Sequence, residues 1–351
     1  MAHSKRSIIG GVDTHTATHH AAVIDLNGRL IADAEFPATP TGYAAMLTWM
    51  RNQGKLSRVG VEGTGAYGAG LARYLHQQRV EVLEVPRPNR RLRRQRGKSD
   101  PIDAEAAART VLAGKASGAP KLADGPIEAI RMLRVARNGA VKACTAALNT
   151  LRSVVITAPE PLRTQLRALS SAQLVAACAR LRPDLANLAE PAHAAKLALR
   201  SIALRVQHCD IETRSLRKQL DALTQAAAPA TSAVFGLGPD TVSALLITIG
   251  DNPDRLRSEA AFAHLCGVAP IPASSGKTSR HRLHRGGDRA GNSALHIAAV
   301  VRLRYDPRSR AYADRRTTEG LSMPEIIRCQ KRYLAREIFR ALRADYARIS
   351  T

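Results

Sequence analysis

Four acidic residues stand where strands and a helix would present them together. Asp13 and Glu62 each come at the end of a short run of glycine, valine and isoleucine that is typical of a strand, and turn-prone residues follow both. Their side chains would therefore project from a sheet edge into a cleft lined by loops. Asp100 and Asp103 lie three residues apart at a predicted helix start, a spacing that lets their carboxylates converge.

Clustered carboxylates are a suitable ligand set for a hard cation. Four of them can hold Mg²⁺ (or Mn²⁺), since such ions take oxygen ligands in octahedral geometry. Two ions in such a site would polarise a scissile phosphate and stabilise both the entering and the leaving oxygen. The sequence therefore predicts catalytic and metal-binding roles for four acids: Asp13, Glu62, Asp100 and Asp103.

A structural alternative exists for the same acids. Asp100 followed by Pro101 and Asp103 is also a good helix start, with an aspartate N-cap, proline at the first position and an acid that complements the helix dipole. Asp13 and Glu62, taken alone, would be ordinary turn acids. Their joint placement after strands of one predicted sheet favours the site. The histidines after the first strand lack a convincing metal-ligand spacing and are expected at the surface: His15, His19 and His20.

Three regions are predicted along the chain. Residues 1–122 form an α/β domain, residues 123–228 a helical coiled-coil region, and residues 229–351 a C-terminal domain that opens with the Gly236 and Gly238 turn. The α/β domain contains predicted strands at 8–12, 21–25, 30–36, 59–61 and 80–85, and predicted helices at 42–52 and 67–78.

Two long helices are predicted by apolar residues spaced three and four apart. One seam runs from Val141 to Val155 and the other from Leu199 to Leu223, with prolines between them. Packing within one hairpin and association between subunits account for the seams equally well. A homo-oligomer, either a dimer or a tetramer, is therefore an expected partner.

The charge of the chain indicates a polyanionic partner. Lys and Arg total 53 against 29 acidic residues, a net charge of +24. A high-GC genome would explain the preference for Arg over Lys but not the shortage of acids. Aromatic residues make up only 3% of the chain, so base stacking along a single strand fits poorly. Contacts to the phosphates, sugars and shape of double-stranded DNA fit better.

Two segments are predicted to contact nucleic acid. A basic segment without acids runs between Val85 and Ser99 and leads into the acidic pair, which favours a phosphate-gripping loop over a plain solvated charge run. Its expected contacts are Arg90, Arg91, Arg93, Arg94 and Lys98. Gly236 and Gly238 form a tight turn that opens a helix, which suits a helix-hairpin-helix holding a DNA phosphate.

The apolar runs, the first residues and the cysteines indicate where in the cell the protein is expected. No apolar run approaches the length needed to cross a bilayer and no signal-peptide pattern opens the sequence, so no membrane partner is expected. Five widely separated cysteines indicate reduced thiols and argue against a zinc knuckle or a disulfide framework. A cytoplasmic, nucleoid-associated protein of a bacterium is expected.

Motifs in both halves of the chain resemble those of the IS110-family transposases. The N-terminal motifs are Gly11-Val12-Asp13, residues 61–65 and residues 98–104; the C-terminal motifs are residues 236–239, 266–270, 274–277 and 285–292. They occur in the family's order over nearly the whole chain, with a helical insert where the family has one. One departure is Lys277, where family members often carry a second glycine.

The resemblance implies both a fold and an activity. The fold is an α/β domain similar to the RuvC/RNase H-like Holliday-junction resolvases, a long helical insert, and a mainly α C-terminal domain with the helix-hairpin-helix. The activity is transposition by DNA cleavage and rejoining at element ends and target, with the four acids as the metal site and a serine nucleophile in the second domain. A guide RNA encoded beside the gene is the further partner implied.

Ser274 is the nucleophile that the family's pattern favours over Ser275. Without the resemblance, the two serines and the following glycine would be a plain turn. Nearby prolines limit local freedom, and Gly276 lets the backbone approach a phosphate closely. The basic residues that follow are expected to bind nucleic acid and stabilise charge on phosphorus: Lys277, Arg280, Arg282 and Arg285.

Two other functions fit parts of the sequence. One is a RuvC-like Holliday-junction resolvase that uses metal-activated water, with the second domain merely binding DNA. The other is a non-catalytic nucleic-acid-binding protein, which would keep the charge but has no use for four placed acids. Metal-dependent cleavage of junction DNA separates the enzymes from the binding protein.

Overall fold

The computed structural model describes residues 6–86, 99–116, 118–121, 123–251, 256–276 and 281–349. The chain forms two compact units. Unit 1 consists of residues 1–128 and 249–258, and unit 2 consists of residues 129–248 and 259–351.

Unit 1 is built on a five-stranded mixed sheet. Its strands are β1 (Ser7–Thr14), β2 (Thr18–Asp25), β3 (Leu30–Pro37), β4 (Lys55–Glu62) and β5 (Glu81–Val85), in the order β3-β2-β1-β4-β5. The first three pair antiparallel, whereas β4 runs parallel to β1 and β5 parallel to β4. All five predicted strands are confirmed, and β1, β2 and β4 extend further than their apolar runs indicated.

Helices cover both faces of the sheet. The predicted helices are present as α1 (Pro40–Gln53) and α2 (Ala69–Gln77), and a third, α3, spans Asp100–Leu112. Even-numbered β1 residues such as Val12 share a core with α1 and α2, while Ile9 of the same strand packs with Ala108 of α3. This alternation follows from the two-residue period of a strand. β1, at the centre of the sheet, is apolar from Ile8 to Val12 because both of its faces are buried there.

The first part of unit 2 contains the two predicted long helices. The helices are α4 (Pro126–Thr157, entering from unit 1), α5 (Leu162–Leu166), α6 (Ser171–Ala179) and α7 (Pro191–Ala227). Leu151 and Val155 of the first seam share a buried cluster with Leu199 of the second. This contact supports packing of the seams within one chain.

The rest of unit 2 is mainly helical, as expected. It contains α8 (Pro229–Ser232), α9 (Pro239–Ile249, whose last residue belongs to unit 1), α10 (Glu259–Leu265), β6 (Ile271–Pro272), β7 (His281–Arg282), α11 (Arg289–Tyr305), α12 (Pro307–Thr318) and α13 (Met323–Ile349). The short strands β6 and β7 pair antiparallel. In the part of the chain that is described, none of the helices combines the length and the apolar character that a membrane span requires.

A buried carboxylate joins the last helix to the shortest one. Asp345 of α13 accepts hydrogen bonds from the backbone amides of Ala230 and Thr231 at 2.9 Å each and from the Thr231 hydroxyl at 2.7 Å. We expect Asp345→Ala to lower the free energy of unfolding by about 3–5 kcal/mol, because it leaves buried donors without a charged acceptor. Urea denaturation followed by circular dichroism measures this, with the exposed Asp314→Ala on α12 as control. A loss no larger than that of the control would contradict it.

Candidate functional site

Two of the predicted site acids lie side by side at the end of the parallel strands. The last paired row of β1 and β4 joins Val12 to Val61, so Asp13 and Glu62 are the next residue on each strand. Neighbouring strands are about 4.8 Å apart. Both acids are buried, with 7% and 8% of their surface exposed. The register therefore places two carboxylates on the same face at the same sheet edge.

Two glycines allow the helix that covers these acids to pack closely on the sheet. A Cβ on Gly11 would lie 2.2 Å from the carbonyl oxygen of Ala104, and a Cβ on Gly60 would lie 3.0 Å from that of Ala107. Helix α3 thus rests directly on the backbone of β1 and β4. Each glycine precedes a site acid by two residues, and residues two apart on a strand face the same side. Asp13 and Glu62 consequently face the helix that carries the other pair.

The start of α3 brings the second pair of acids to the sheet edge. Asp103 is buried, with 5% of its surface exposed, next to Ala104, which packs against β1. Asp100 lies almost one turn earlier, with 44% of its side chain exposed. The Asp103 carboxylate is therefore buried, whereas the Asp100 carboxylate is accessible to solvent.

His15 joins the acids, which the sequence reasoning missed. Its Nε2 lies 3.2 Å from Asp13 Oδ2 and 3.3 Å from Asp100 Oδ1. These three ligand atoms lie within 4.8 Å of one another, a group that can hold a metal ion. The signal available was its position two residues after Asp13, directly after the end of β1.

The loop after Glu62 fixes that residue in place. Thr14 Oγ1 donates to the backbone carbonyl of Glu62 at 2.9 Å, which ties the ends of β1 and β4 together. Gly63 follows with φ of +67°, in the left-handed region that favours glycine, and its carbonyl accepts from the amides of Ala66 and Gly68. The acid is thus held by backbone contacts rather than by a mobile loop.

The capping alternative for Asp100 is wrong in its detail. The N-cap of α3 is Ser99, and Asp100 is the first helical residue with Pro101 second. An aspartate at the first helical position still complements the helix dipole. The Asp100 carboxylate lies 3.3 Å from His15 Nε2.

The surface expectation for the histidines is wrong for His19. His19 is fully buried and stacks on Tyr43 with ring centroids 5.6 Å apart. Burial lowers the pKa of the His19 imidazole. His20 lies 2.7 Å from Asp33 on the neighbouring strand. The His15 ring contacts Asp13 and Asp100, and His20 is the cross-strand neighbour of Asp13 on β2.

Ser274 and Ser275 lie in the loop between β6 and β7 in unit 2. Both are exposed, and Gly276 after them has φ of +56° in the left-handed region. Arg282 lies on β7 and Arg285 follows it, both exposed. The expected contacts Lys277 and Arg280 lie outside the described residues, as do Arg90, Arg91, Arg93, Arg94 and Lys98.

The predicted glycine turn is engaged within the protein. The amide of Gly238 donates to Thr241 Oγ1 at 2.8 Å. Asp240, in the first turn of α9, lies 2.8 Å from Arg137 and 3.5 Å from Arg134. The helix start that would receive a DNA phosphate already carries an acid paired with two arginines of α4. Gly236 packs against α11, where a Cβ would lie 3.1 Å from the carbonyl oxygen of Ala298.

Comparison with known proteins matches both parts of the chain. A transposase family model of the IS110 DEDD type matches residues 10–158. A second model, described as the transposase IS116/IS110/IS902 family, matches residues 229–314. The first range contains all four acids and His15, and the second contains Ser274.

Two curated relatives come from bacterial insertion elements. A protein of insertion element IS110 from Streptomyces coelicolor is 36% identical over 113 residues, covering 31% of this chain and 27% of its own length. A protein of insertion element IS900 from Mycobacterium paratuberculosis is 35% identical over 86 residues, covering 24% of this chain and 22% of its own length. The matched segments thus span about a quarter of each relative. With both halves matched by models of one family, in the order that the sequence motifs indicated, the chain belongs to the IS110 family of transposases.

Proposed function

We propose that this chain is an insertion-sequence transposase that cleaves and rejoins DNA strands by metal-dependent phosphoryl transfer. The observation that carries the proposal is the convergence of acids at one sheet edge. Asp13 and Glu62 occupy adjacent strand ends, and the helix bearing Asp100 and Asp103 rests on the same strands. Membership of the transposase family supports the same activity.

The donor set fits Mg²⁺ or Mn²⁺. Carboxylate oxygens are the ligands such ions prefer, and three of the four acids are buried. Bound metal would polarise the scissile phosphate and stabilise the entering and leaving oxygens. Asp13 and Glu62 would hold the ion on the rigid sheet, while the more exposed Asp100 would face the DNA. The buried Asp103 would supply the fourth carboxylate ligand.

Ser274 is our proposed nucleophile. Its Oγ forms a bond to phosphorus while the bond from phosphorus to the leaving sugar oxygen breaks. The serine proton passes to solvent or to a carboxylate, and the leaving oxygen takes up a proton. The resulting phosphoserine link conserves the bond energy for rejoining. Arg282 and Arg285 would stabilise the charge on the phosphate, as would Lys277 and Arg280.

The finer fold assignment is part of the proposal. The α/β unit would be RuvC/RNase H-like, supported by acids at the ends of neighbouring parallel strands beneath a helix start. The proposed functional regions are residues 1–122, 123–228 and 229–351. A helix-hairpin-helix formed by α8 and α9, with Gly236 and Gly238 in the turn between them, would contact a DNA phosphate.

The proposed partners are double-stranded DNA, at element ends and target, and a guide RNA. The net charge of +24 supports a nucleic-acid partner, and the basic segment with Arg90, Arg91, Arg93, Arg94 and Lys98 would grip phosphates beside the acids. The guide RNA rests on the family resemblance. A homo-oligomer, a dimer or a tetramer, would let the carboxylates of one chain act with the serine of another.

His15 would support the metal from within the cluster. We expect His15→Gln to weaken Mn²⁺ binding by about tenfold or more, because groups that orient metal-binding carboxylates typically change affinity by that amount. Isothermal titration of Mn²⁺ measures the effect without DNA. His76→Gln is the matched control, since His76 is exposed on α2, which packs on the opposite face of the sheet. Equal Mn²⁺ affinity in both variants would remove His15 from the site.

Cleavage of DNA carrying element ends tests the proposed function. We expect Mg²⁺ or Mn²⁺ to be required, and a supercoiled plasmid with both ends to give rejoined products as well as cuts. Gel analysis with and without a chelator measures both. Cleavage of junction DNA with no rejoined product would favour the resolvase, and binding without any cleavage would favour a non-catalytic protein.

A further inference from the structure

Unit 2 contains a cavity of about 510 Å³ beside the hairpin that carries Ser274. Pro270, which precedes β6, and Arg282 of β7 both line it. The loop holding Ser274 joins these two strands. Residues of α12 and α13 also line the cavity. The volume falls in the range of small-ligand sites.

Basic side chains dominate the wall of this cavity. They are Arg282, Arg316, Arg328, Lys331, Arg332 and Arg336. Glu259 pairs with both Arg332 and Arg336. Arg316 pairs with Glu319, and Arg328 lies 3.7 Å from Glu325. Within the described residues, three acids thus face six cations, which leaves the cavity positively charged.

Lys331 is the buried member of these six cations, and among the described residues no carboxylate pairs with it. It is buried, with 6% of its surface exposed, and its Nζ donates to Asn292 Oδ1 at 2.6 Å. Asn292 is fixed in turn, since its Nδ2 donates to the carbonyl oxygens of Cys266 and Gly267 at 2.9 and 3.0 Å. The Lys331 contact is therefore to a neutral, immobile amide. Burial lowers the pKa of the Lys331 ammonium.

A buried charge opposite a neutral group is costly unless an anion joins it. We infer that this cavity binds a backbone phosphate of the DNA strand whose neighbouring phosphate Ser274 attacks. Arginine forks and a lysine ammonium are the usual partners of phosphate oxygens. DNA is favoured as the occupant because the strands that line the cavity also hold the loop of Ser274. This inference rests on the proposed function.

The thiol of Cys329 offers a local probe of occupancy. Cys329 lines the cavity and is half-buried, while Cys144 on α4 is half-buried elsewhere in unit 2. We expect excess trideoxythymidylate to slow iodoacetamide alkylation of Cys329 several-fold, read by peptide mass spectrometry. Alkylation of Cys144 should not change. An analogue with neutral methylphosphonate linkages should give no protection, because the inferred contact is to phosphate charge.

Two variants test the residues behind this protection. Lys331→Gln keeps an N–H donor for Asn292 but removes the charge. Arg282→Gln removes the charge of an exposed side chain on β7, so we expect the fold to be unaffected. Both should lose most of the protection of Cys329. Arg310→Gln, an exposed residue of α12 outside the cavity, removes the same charge and should keep it.

Several results would overturn the inference. One is that Cys329 is not protected in the wild-type protein. Another is that Lys331→Gln and Arg282→Gln retain the same protection of Cys329 as the wild type. A third is protection by triuridylate but not by trideoxythymidylate. The last result would assign the cavity to RNA. Because the probe has no cleavage site, protection is scored separately from covalent attachment of DNA to Ser274. If Cys329 is protected but no DNA becomes attached to Ser274, the proposed serine mechanism has failed. If DNA becomes attached to Ser274 but Cys329 is not protected, the inferred phosphate site has failed.

Discussion

Asp13→Ala will reduce DNA cleavage and rejoining by about a thousandfold or more. Asp13 is buried between Glu62 and the start of α3, and its Oδ2 lies 3.2 Å from His15. Losing this carboxylate removes metal-mediated stabilisation worth several kcal/mol in the transition state, and each 1.4 kcal/mol is about tenfold in rate. Quantifying recombined plasmid over time measures the loss.

Stability separates a catalytic loss from an unfolded variant. Removing charge from a carboxylate cluster relieves repulsion, so the thermal stability of metal-free Asp13→Ala should hold or rise. DNA binding should also persist. Glu35→Gln is the matched control, since Glu35 is an exposed acid on β3 of the same sheet. A normal recombination rate in Asp13→Ala would remove this residue from the site.

Ser274→Ala will abolish recombination while leaving metal and DNA binding unchanged. The variant lacks the hydroxyl that would form the link to phosphorus, and removal of a covalent nucleophile costs about a thousandfold or more. Both serines are exposed in the loop, so neither substitution should disturb the fold. Ser275→Ala is the matched control and should retain activity. The assay is again the yield of recombined plasmid.

The two serine variants also show whether Ser274, Ser275 or neither serine is the nucleophile. Loss of activity in Ser275→Ala with retention in Ser274→Ala would move the role to Ser275. A Ser274→Ala/Ser275→Ala double variant that still recombines would end the serine mechanism.

The secondary structure of unit 1 was predictable because its signals are local. Apolar runs bounded by turn residues located all five strands, and helices were expected in the segments between them where α1 and α2 lie. The joint placement of Asp13 and Glu62 followed from the strand ends alone. A further signal was present but unused: Gly11 and Gly60 each stand two residues before a site acid, where α3 packs on the strand backbone.

Other features depend on contacts between distant segments and had no local signal. His15 meets Asp100 only because α3 crosses the end of β1. The exact N-cap of α3 depends on a one-residue difference between Ser99 and Asp100, which composition does not decide. Lys331 and Asn292 belong to different helices, so the basic cavity was invisible in the sequence.

The covalent intermediate is the most direct test of the proposed mechanism. Wild-type protein would be incubated with Mg²⁺ or Mn²⁺ and nicked element-end DNA, then denatured, digested and searched by mass spectrometry for a phosphoserine-linked nucleotide. We expect the link at Ser274, dependent on metal and absent from Asp13→Ala. Metal-dependent cleavage with no DNA attached to any serine would contradict the account and indicate that water is the nucleophile.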